Sequence, residues 1–147
     1  MKVERIIGEL PRGFEAMRAE ARAEGHHFLD RLAADWESGT MRFDAPGEAL
    51  FAAYLRGVLA GIGGITADPT IPEALRMRRF YVRPAFRRGG VGGRLKQELL
   101  ARVPLSVPLV TVNAAAGSER FWEALGFRPD RRDGHTHVME RSGRSLG

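Results

Sequence analysis

A strand, a glycine-rich loop and a helix follow one another within residues 75–103, LRMRRFYVRPAFRRGGVGGRLKQELLARV, and this run constrains the fold more than any other. Residues 77–82 mix aromatic and branched side chains with arginine, which suits a strand. Pro84 cannot donate to a sheet ladder, so the strand ends near Arg83. Val91, Leu95 and Leu99 recur at a four-residue spacing, one stripe of a helix that Leu100 and Val103 widen and Pro104 ends. Between strand and helix lies Arg87-Arg88-Gly89-Gly90-Val91-Gly92-Gly93. The first turn of a helix has unpaired N–H groups and the positive end of the dipole, and glycine there leaves the backbone open. The loop therefore reads as an anion-binding turn; the alternative is a glycine-rich turn with no ligand.

Two other glycine-rich loops are excluded. The phosphate loop of nucleoside triphosphatases ends Gly-Lys-Ser/Thr, whereas this one ends Gly93-Arg94-Leu95. The dinucleotide fingerprint needs GxGxxG and an acid about twenty residues on. Here Gly90-x-Gly92 is followed by Leu95, and the next strand ends in Asn113.

The 147 residues suffice for a core of one domain, and residues 1–147 are read as one. No apolar run reaches the length of a membrane span, and the charged opening MKVERIIGELPRG does not read as a leader. The absence of cysteine excludes disulfides, a thiol nucleophile and thiolate zinc, and fits a reducing cytoplasm. The formal charge is +5, and of 23 basic residues only Lys2 and Lys96 are lysine. Arg76, Arg78, Arg79, Arg83, Arg87, Arg88 and Arg94 fall between Glu73 and Glu98 with no acid among them. Such a patch suits nucleic acid or an anionic cofactor; the cofactor is the simpler reading, and a solvated strand face accounts for part of it.

Residues 2–9 read as a first strand, closed by Pro11. Phe14, Met17 and Ala21 share one face of a helix over about 13–24, with Gly25 after it. Phe28, Leu29, Leu32, Ala33 and Trp36 mark a second helix, stopped by Gly39. His26 and His27 sit between the two; with no third ligand at metal spacing they read as loop residues. Residues 48–55 and 58–66 form a hairpin around Arg56-Gly57. Gly61, Gly63 and Gly64 in its second strand imply close approach of backbone or ligand, or a bulge. Residues 67–72 are a loop. Residues 109–112 are a short buried strand ending at Asn113, Ser118 is placed to cap the next helix, and Gly126-Phe127 ends it. Residues 136–140 read as a final strand, and 141–147 as a frayed tail.

Val82-Arg83-Pro84 followed by Arg87-x-x-Gly90-x-Gly92 resembles the acetyl-CoA-binding motif of the GCN5-related N-acetyltransferases, written (Gln/Arg)-x-x-Gly-x-(Gly/Ala). Asn113-x(7)-Phe121-Trp122-Glu123-Ala124-Leu125-Gly126-Phe127 resembles the same family's Asn-…-(Phe/Leu)-Tyr-x-x-(Leu/Met)-Gly-Phe segment. The resemblance covers essentially the whole chain, and residues 75–127 carry its specificity. It implies an α+β fold: a twisted, splayed mixed sheet of about six to seven strands flanked by about four helices. The sheet would open between the strand ending near Val82 and the strand ending near Asn113. Acetyl-CoA would place its pyrophosphate on residues 88–93 and its pantetheine arm in the opening, against backbone around Phe80 and Val82. The binding residues implied are Phe80, Tyr81, Val82, Arg87, Arg88, Gly89, Gly90, Val91, Gly92, Gly93, Asn113, Ser118 and Trp122.

The reaction implied is transfer of an acetyl group to a primary amine by direct attack. A neutral amine, a donor to the developing oxyanion and a proton for the leaving thiolate are then required. Where the family keeps its proton-donating tyrosine this chain has Trp122, whose N–H is not an acid at working pH. No acid lies on residues 77–81, where the family often carries its base. Glu73, Tyr81 and Trp122 are the catalytic candidates, with Asp68, Glu48, His26 and His27 behind them. The expectation is a cytoplasmic, bacterial-type enzyme without a metal, monomer or homodimer, binding acetyl-CoA and an amine acceptor but neither nucleic acid nor membrane. The alternative is a non-catalytic acyl-CoA-binding module of the same fold.

Overall fold

The computed structural model describes residues 1–132 and 134–141. Apart from Arg141, the tail lies outside the described residues. Among the described residues seven strands form one mixed sheet: β1 (Lys2–Arg5), β2 (Ala49–Leu55), β3 (Val58–Ala67), β4 (Leu75–Val82), β5 (Leu109–Val112), β6 (Arg128–Arg132) and β7 (His135–Glu140). Their order across the sheet is β1-β2-β3-β4-β5-β7-β6. Only β4 and β5 run parallel; every other neighbouring pair is antiparallel. The α-helices of the described residues cover it: α1 (Phe14–Ala23), α2 (Phe28–Ser38), α3 (Val91–Leu100) and α4 (Glu119–Ala124).

The alternation of a strand sorts side chains onto two faces. On β2, Leu50 and Ala52 join Phe14, Met17, Leu29, Leu32 and Trp36 of α1 and α2 in one core. Ala49, Phe51 and Ala53 join Val91, Leu95, Leu99 and Trp122 of α3 and α4 in the other. The central strands are thus buried on both faces, which is why β3 reads as a nearly unbroken apolar run. The glycines of β3 mark close approach, one of the two readings the sequence leaves open; a bulge, the other, also occurs beside Gly61, where the register shifts between Ala53 and Tyr54. A Cβ on Gly61 would lie 2.9 Å from the Tyr81 carbonyl oxygen, and one on Gly64 would lie 2.6 Å from the Phe43 ring.

Arg56 and Gly57 both take positive φ, 52° and 78°, the requirement of a tight hairpin turn. The sequence reading departs from the structure at the margins. The first strand stops at Arg5, because Gly8 turns the chain at φ 83°. The arginine-rich segment Arg128–Arg132 is an additional edge strand paired with β7. Its polar composition hides it from a search for apolar alternation. Among the described residues, no helix is long and apolar enough to cross a membrane.

Candidate active site

The loop between β4 and α3 follows directly from its sequence. Pro84 starts a single 3₁₀ turn, Pro84–Phe86, and Arg87 leaves it in extended geometry. Arg88 at φ 68° and Gly90 at φ 81° then swing the chain into α3. Gly90 occupies the N-cap, no side chain caps the helix there, and residues 87–90 are exposed. The first helical bond runs from Arg94 N–H to the Gly90 carbonyl at 3.0 Å, so the N–H groups of Val91, Gly92 and Gly93 have no helical acceptor. That is an open, positively polarised helix start.

The glycines divide their work. Gly89 and Gly90 keep the turn open, with nothing closer than 3.4 Å to an added Cβ. Gly92 is buried, and a Cβ there would meet the Phe121 ring at 2.6 Å. Its small size is what lets α3 and α4 touch. At Gly93 the nearest atom is an ordinary 3.8 Å away.

The sheet opens beside this helix start. β4 and β5 pair only through Leu75–Val110, Arg76–Thr111 and Met77–Val112. From Arg78 onward β4 pairs with β3 alone among the described residues, and Asn113 is the exposed residue just past the end of β5. The Arg83 N–H bonds the Ala60 carbonyl on β3, so by strand alternation the polar backbone groups of Val82 face the opening. One of them is already engaged: Arg87 Nε donates to the Val82 carbonyl at 2.9 Å.

The arginine run is compensated in space, contrary to its appearance in sequence. Arg83 pairs with Glu20 of α1 at 2.8 Å and Arg87 with Glu24, the C-cap residue of α1, at 2.7 Å. Arg76 pairs with Asp68 at 3.4 Å and Arg94 with Glu98 at 3.0 Å. Among the described residues, Arg78 and Arg88 have no carboxylate partner. Glu20 and Glu24 were missed because they precede the motif by some sixty residues, and no local pattern ties them to it.

The predicted catalytic candidates fall in different places. Glu73 is exposed in the turn before β4, at the paired end of the β4–β5 ladder and away from the opening. Tyr81 is buried on the α1 face; its hydroxyl donates to Glu24 Oε1 at 2.6 Å, and the Arg87 guanidinium lies 5.4 Å from its ring centre. Burial and the Glu24 carboxylate push the Tyr81 phenol up, while Arg87 and then Tyr81 hold Glu24 down at about 2. Trp122 is 6% exposed, edge-on to Phe80, Phe121 and Phe127 at 4.9–5.3 Å. Phe80 covers Gly63 with its ring and so carries the aromatic wall up to the opening.

Ser118 takes the N-cap of α4, but its hydroxyl donates to the Ala115 carbonyl at 2.7 Å and caps no N–H. Asp68 is buried, accepts from Thr70 N–H, Ile71 N–H and Thr111 Oγ1, and so pins the loop before β4. Glu48 accepts from Ala67 N–H. His27 approaches Asp30 at 3.3 Å and His26 packs beside Phe28. No group of three metal-ligating side chains occurs among the described residues.

Comparison with curated proteins gives no match. Solved structures match in number. A protein of Exiguobacterium sp. 255-15, provisionally assigned as an acetyltransferase, superposes with a TM-score of 0.86 at 21% identity, over 96% of this chain and 93% of that one. A GNAT family acetyltransferase of Brucella melitensis in complex with acetyl-CoA gives 0.61 at 14% identity, over 95% and 86%. An aminoglycoside 6′-N-acetyltransferase complexed with coenzyme A gives 0.63 at 13% identity, over 99% of both chains. At these identities the likeness is one of fold. The family model described as the acetyltransferase (GNAT) domain matches residues 12–139, nearly the whole chain, and the protein therefore belongs to the GNAT acetyltransferase family.

Proposed function

We propose that the protein moves an acetyl group from acetyl-CoA to a primary amine by direct attack. The observation that carries this reading is the adjacency of two features: an uncapped, glycine-opened start of α3, and the forked β4–β5 pair beside it. The turn at residues 88–93, exposed over Arg88–Gly90, suits a pyrophosphate, and the fork suits an extended arm hydrogen-bonding to β4 as an added strand would. Acetyl-CoA supplies the activated thioester. The chain supplies the rest: N–H groups that fix the anionic end, the Val82 backbone in the fork, and the Phe80–Trp122 wall that excludes water.

Direct attack fits the side chains near the fork. Glu24, held at about 2 by Arg87 and Tyr81, is too weak a base for an ammonium. Tyr81 spends its proton on Glu24, and the Trp122 indole is no acid. The amine then arrives neutral, its nitrogen bonds to the carbonyl carbon, the C–S bond breaks, and the nitrogen's surplus proton passes to sulfur directly or through water.

A thiol-release assay with acetyl-CoA against amines, peptides and aminoglycosides tests this, with acetylated product identified by mass spectrometry. Amine-dependent release is the expected result. The aromatic burial of Trp122 where the family keeps a phenol favours one other reading, a non-catalytic acyl-CoA-binding module. Calorimetric CoA binding without release on any amine would establish that module instead.

A further inference from the structure

The bulge in β4 aims two consecutive arginines at the same face of the sheet. Ile62 pairs with Tyr81 and Gly64 with Arg78, so Arg79 and Phe80 together oppose the single residue Gly63. Arg79 takes φ 62°, a left-handed conformation that a long side chain rarely adopts. With the extra residue absorbed, Phe80 points to the α3–α4 face against Trp122, while Arg78 and Arg79 both project toward α2. Arg78 reaches Thr66 and Arg79 reaches Asp35. These are also the first residues of β4 beyond its pairing with β5. They stand at the root of the fork, on the side opposite the wall that lines the proposed thioester arm.

Their own needs are poorly met. Arg78 Nη1 is 3.5 Å from Thr66 Oγ1, the outer limit of a hydrogen bond, and Arg79 Nη2 is 3.7 Å from Asp35 Oδ2. The Arg79 side chain is only 10% exposed. The Nε groups of both arginines are buried and have no partner among the described residues. Burial first, then Arg78 and Arg31, pushes Arg79 down to about 10; burial and then Arg76 lower Arg78. Asp35 and Glu48 offset part of this charge. Unsatisfied buried donors and a strained backbone are both costly, and together they mark a site arranged for something else. An Nε–Nη edge is a planar fork matched to a carboxylate or phosphoryl oxygen pair.

We infer that the acceptor amine carries an anionic group, a carboxylate or a phosphoryl, and that Arg78 and Arg79 grip it on the α2 side of the fork. This inference rests on the acetyl-transfer reading for its geometry. Arg78 and Arg79 act here as binding residues and set acceptor specificity.

Matched amines test it: β-alanine against propylamine, phosphoethanolamine against ethanolamine, with spermidine as a cation. Each is titrated calorimetrically into the protein saturated with CoA, and assayed separately for thiol release with acetyl-CoA. At least one anionic member should bind tenfold or more tighter than its neutral match, and the member that wins tells carboxylate from phosphoryl. Arg78→Gln and Arg78→Lys should each abolish that preference with CoA affinity unchanged, since lysine keeps the charge and loses the fork. The wild-type comparison stands by itself if either variant fails to fold. Equal or tighter binding of the neutral or cationic amines, or no binding of any anionic member at millimolar concentration, overturns the inference. Anionic amines that bind without releasing thiol would uphold it and sink the transfer reading. Turnover confined to neutral or cationic amines would do the reverse.

Discussion

At the scale of single residues, the glycines and Trp122 show that one residue type does different work at different places. An alanine at Gly93 meets nothing closer than 3.8 Å and gains helix propensity, so Gly93→Ala should stabilise the fold by about 0.5–1 kcal/mol in urea titrations. Gly61→Ala should cost about 1–3 kcal/mol in the same experiment, because its methyl would sit 2.9 Å from the immobile Tyr81 carbonyl oxygen and from Val91. Equal effects would mean that close approach is not what selects glycine in β3. Trp122 anchors three aromatic contacts. Trp122→Ala should therefore cost about 3–5 kcal/mol. Trp122→Phe should keep most of that stability and lower turnover by less than the roughly hundredfold expected for loss of a general acid. A well-folded Phe variant a thousandfold slower would give the indole N–H a part in the chemistry.

At the scale of elements, α1 is tied to β4 and the loop after it by Glu24, which accepts from Tyr81 and from both Arg87 terminal nitrogens. Its carboxyl lies at about 2 in the fold against an ordinary 4.5. A depressed acid contributes stability above its unfolded value and loses it as pH falls through the folded one. The stability gap between wild type and Glu24→Gln should thus be full above about pH 5, shrink below it and vanish near pH 2. Urea midpoints across that range check this, and a gap independent of pH would remove Glu24 from the tie. This clamp also shows where the sequence stops being readable. The strand–loop–helix unit, the two amphipathic helices and the hairpin at Arg56-Gly57 were legible because each is written in local periodicity and turn chemistry. The bulge at Arg79 was not, since no local signal distinguishes it from the arginines beside it. Nor were the partners of Arg83 and Arg87, which only the packing of α1 on the sheet supplies. The absence of nearby acids in sequence was for that reason a poor guide to uncompensated charge.

At the scale of the whole molecule, the fork divides the sheet into two ladders, β1 to β4 and β5 to β7, joined by three residue pairs. A ligand lying in the fork and reaching the start of α3 would touch the β4 side through Val82 and the β5 side through Asn113. CoA should accordingly stabilise both ladders together. At a hundred times its dissociation constant a ligand that binds only the native state adds about 2.7 kcal/mol. The expected result is a higher melting temperature with CoA, together with slower amide exchange near Val82 and near Asn113. Arg88 offers the matching perturbation: it is exposed, already accommodated at φ 68°, and without a carboxylate partner among the described residues. Arg88→Glu should leave the melting temperature of the free protein nearly unchanged and weaken CoA about tenfold, the effect of losing roughly 1.4 kcal/mol. Part of that loss should disappear at high salt, because an exposed charge contact is screened. Protection confined to α3, with neither edge of the fork slowed, would mean that CoA binds the helix start without entering the sheet, and the arm would have to lie elsewhere.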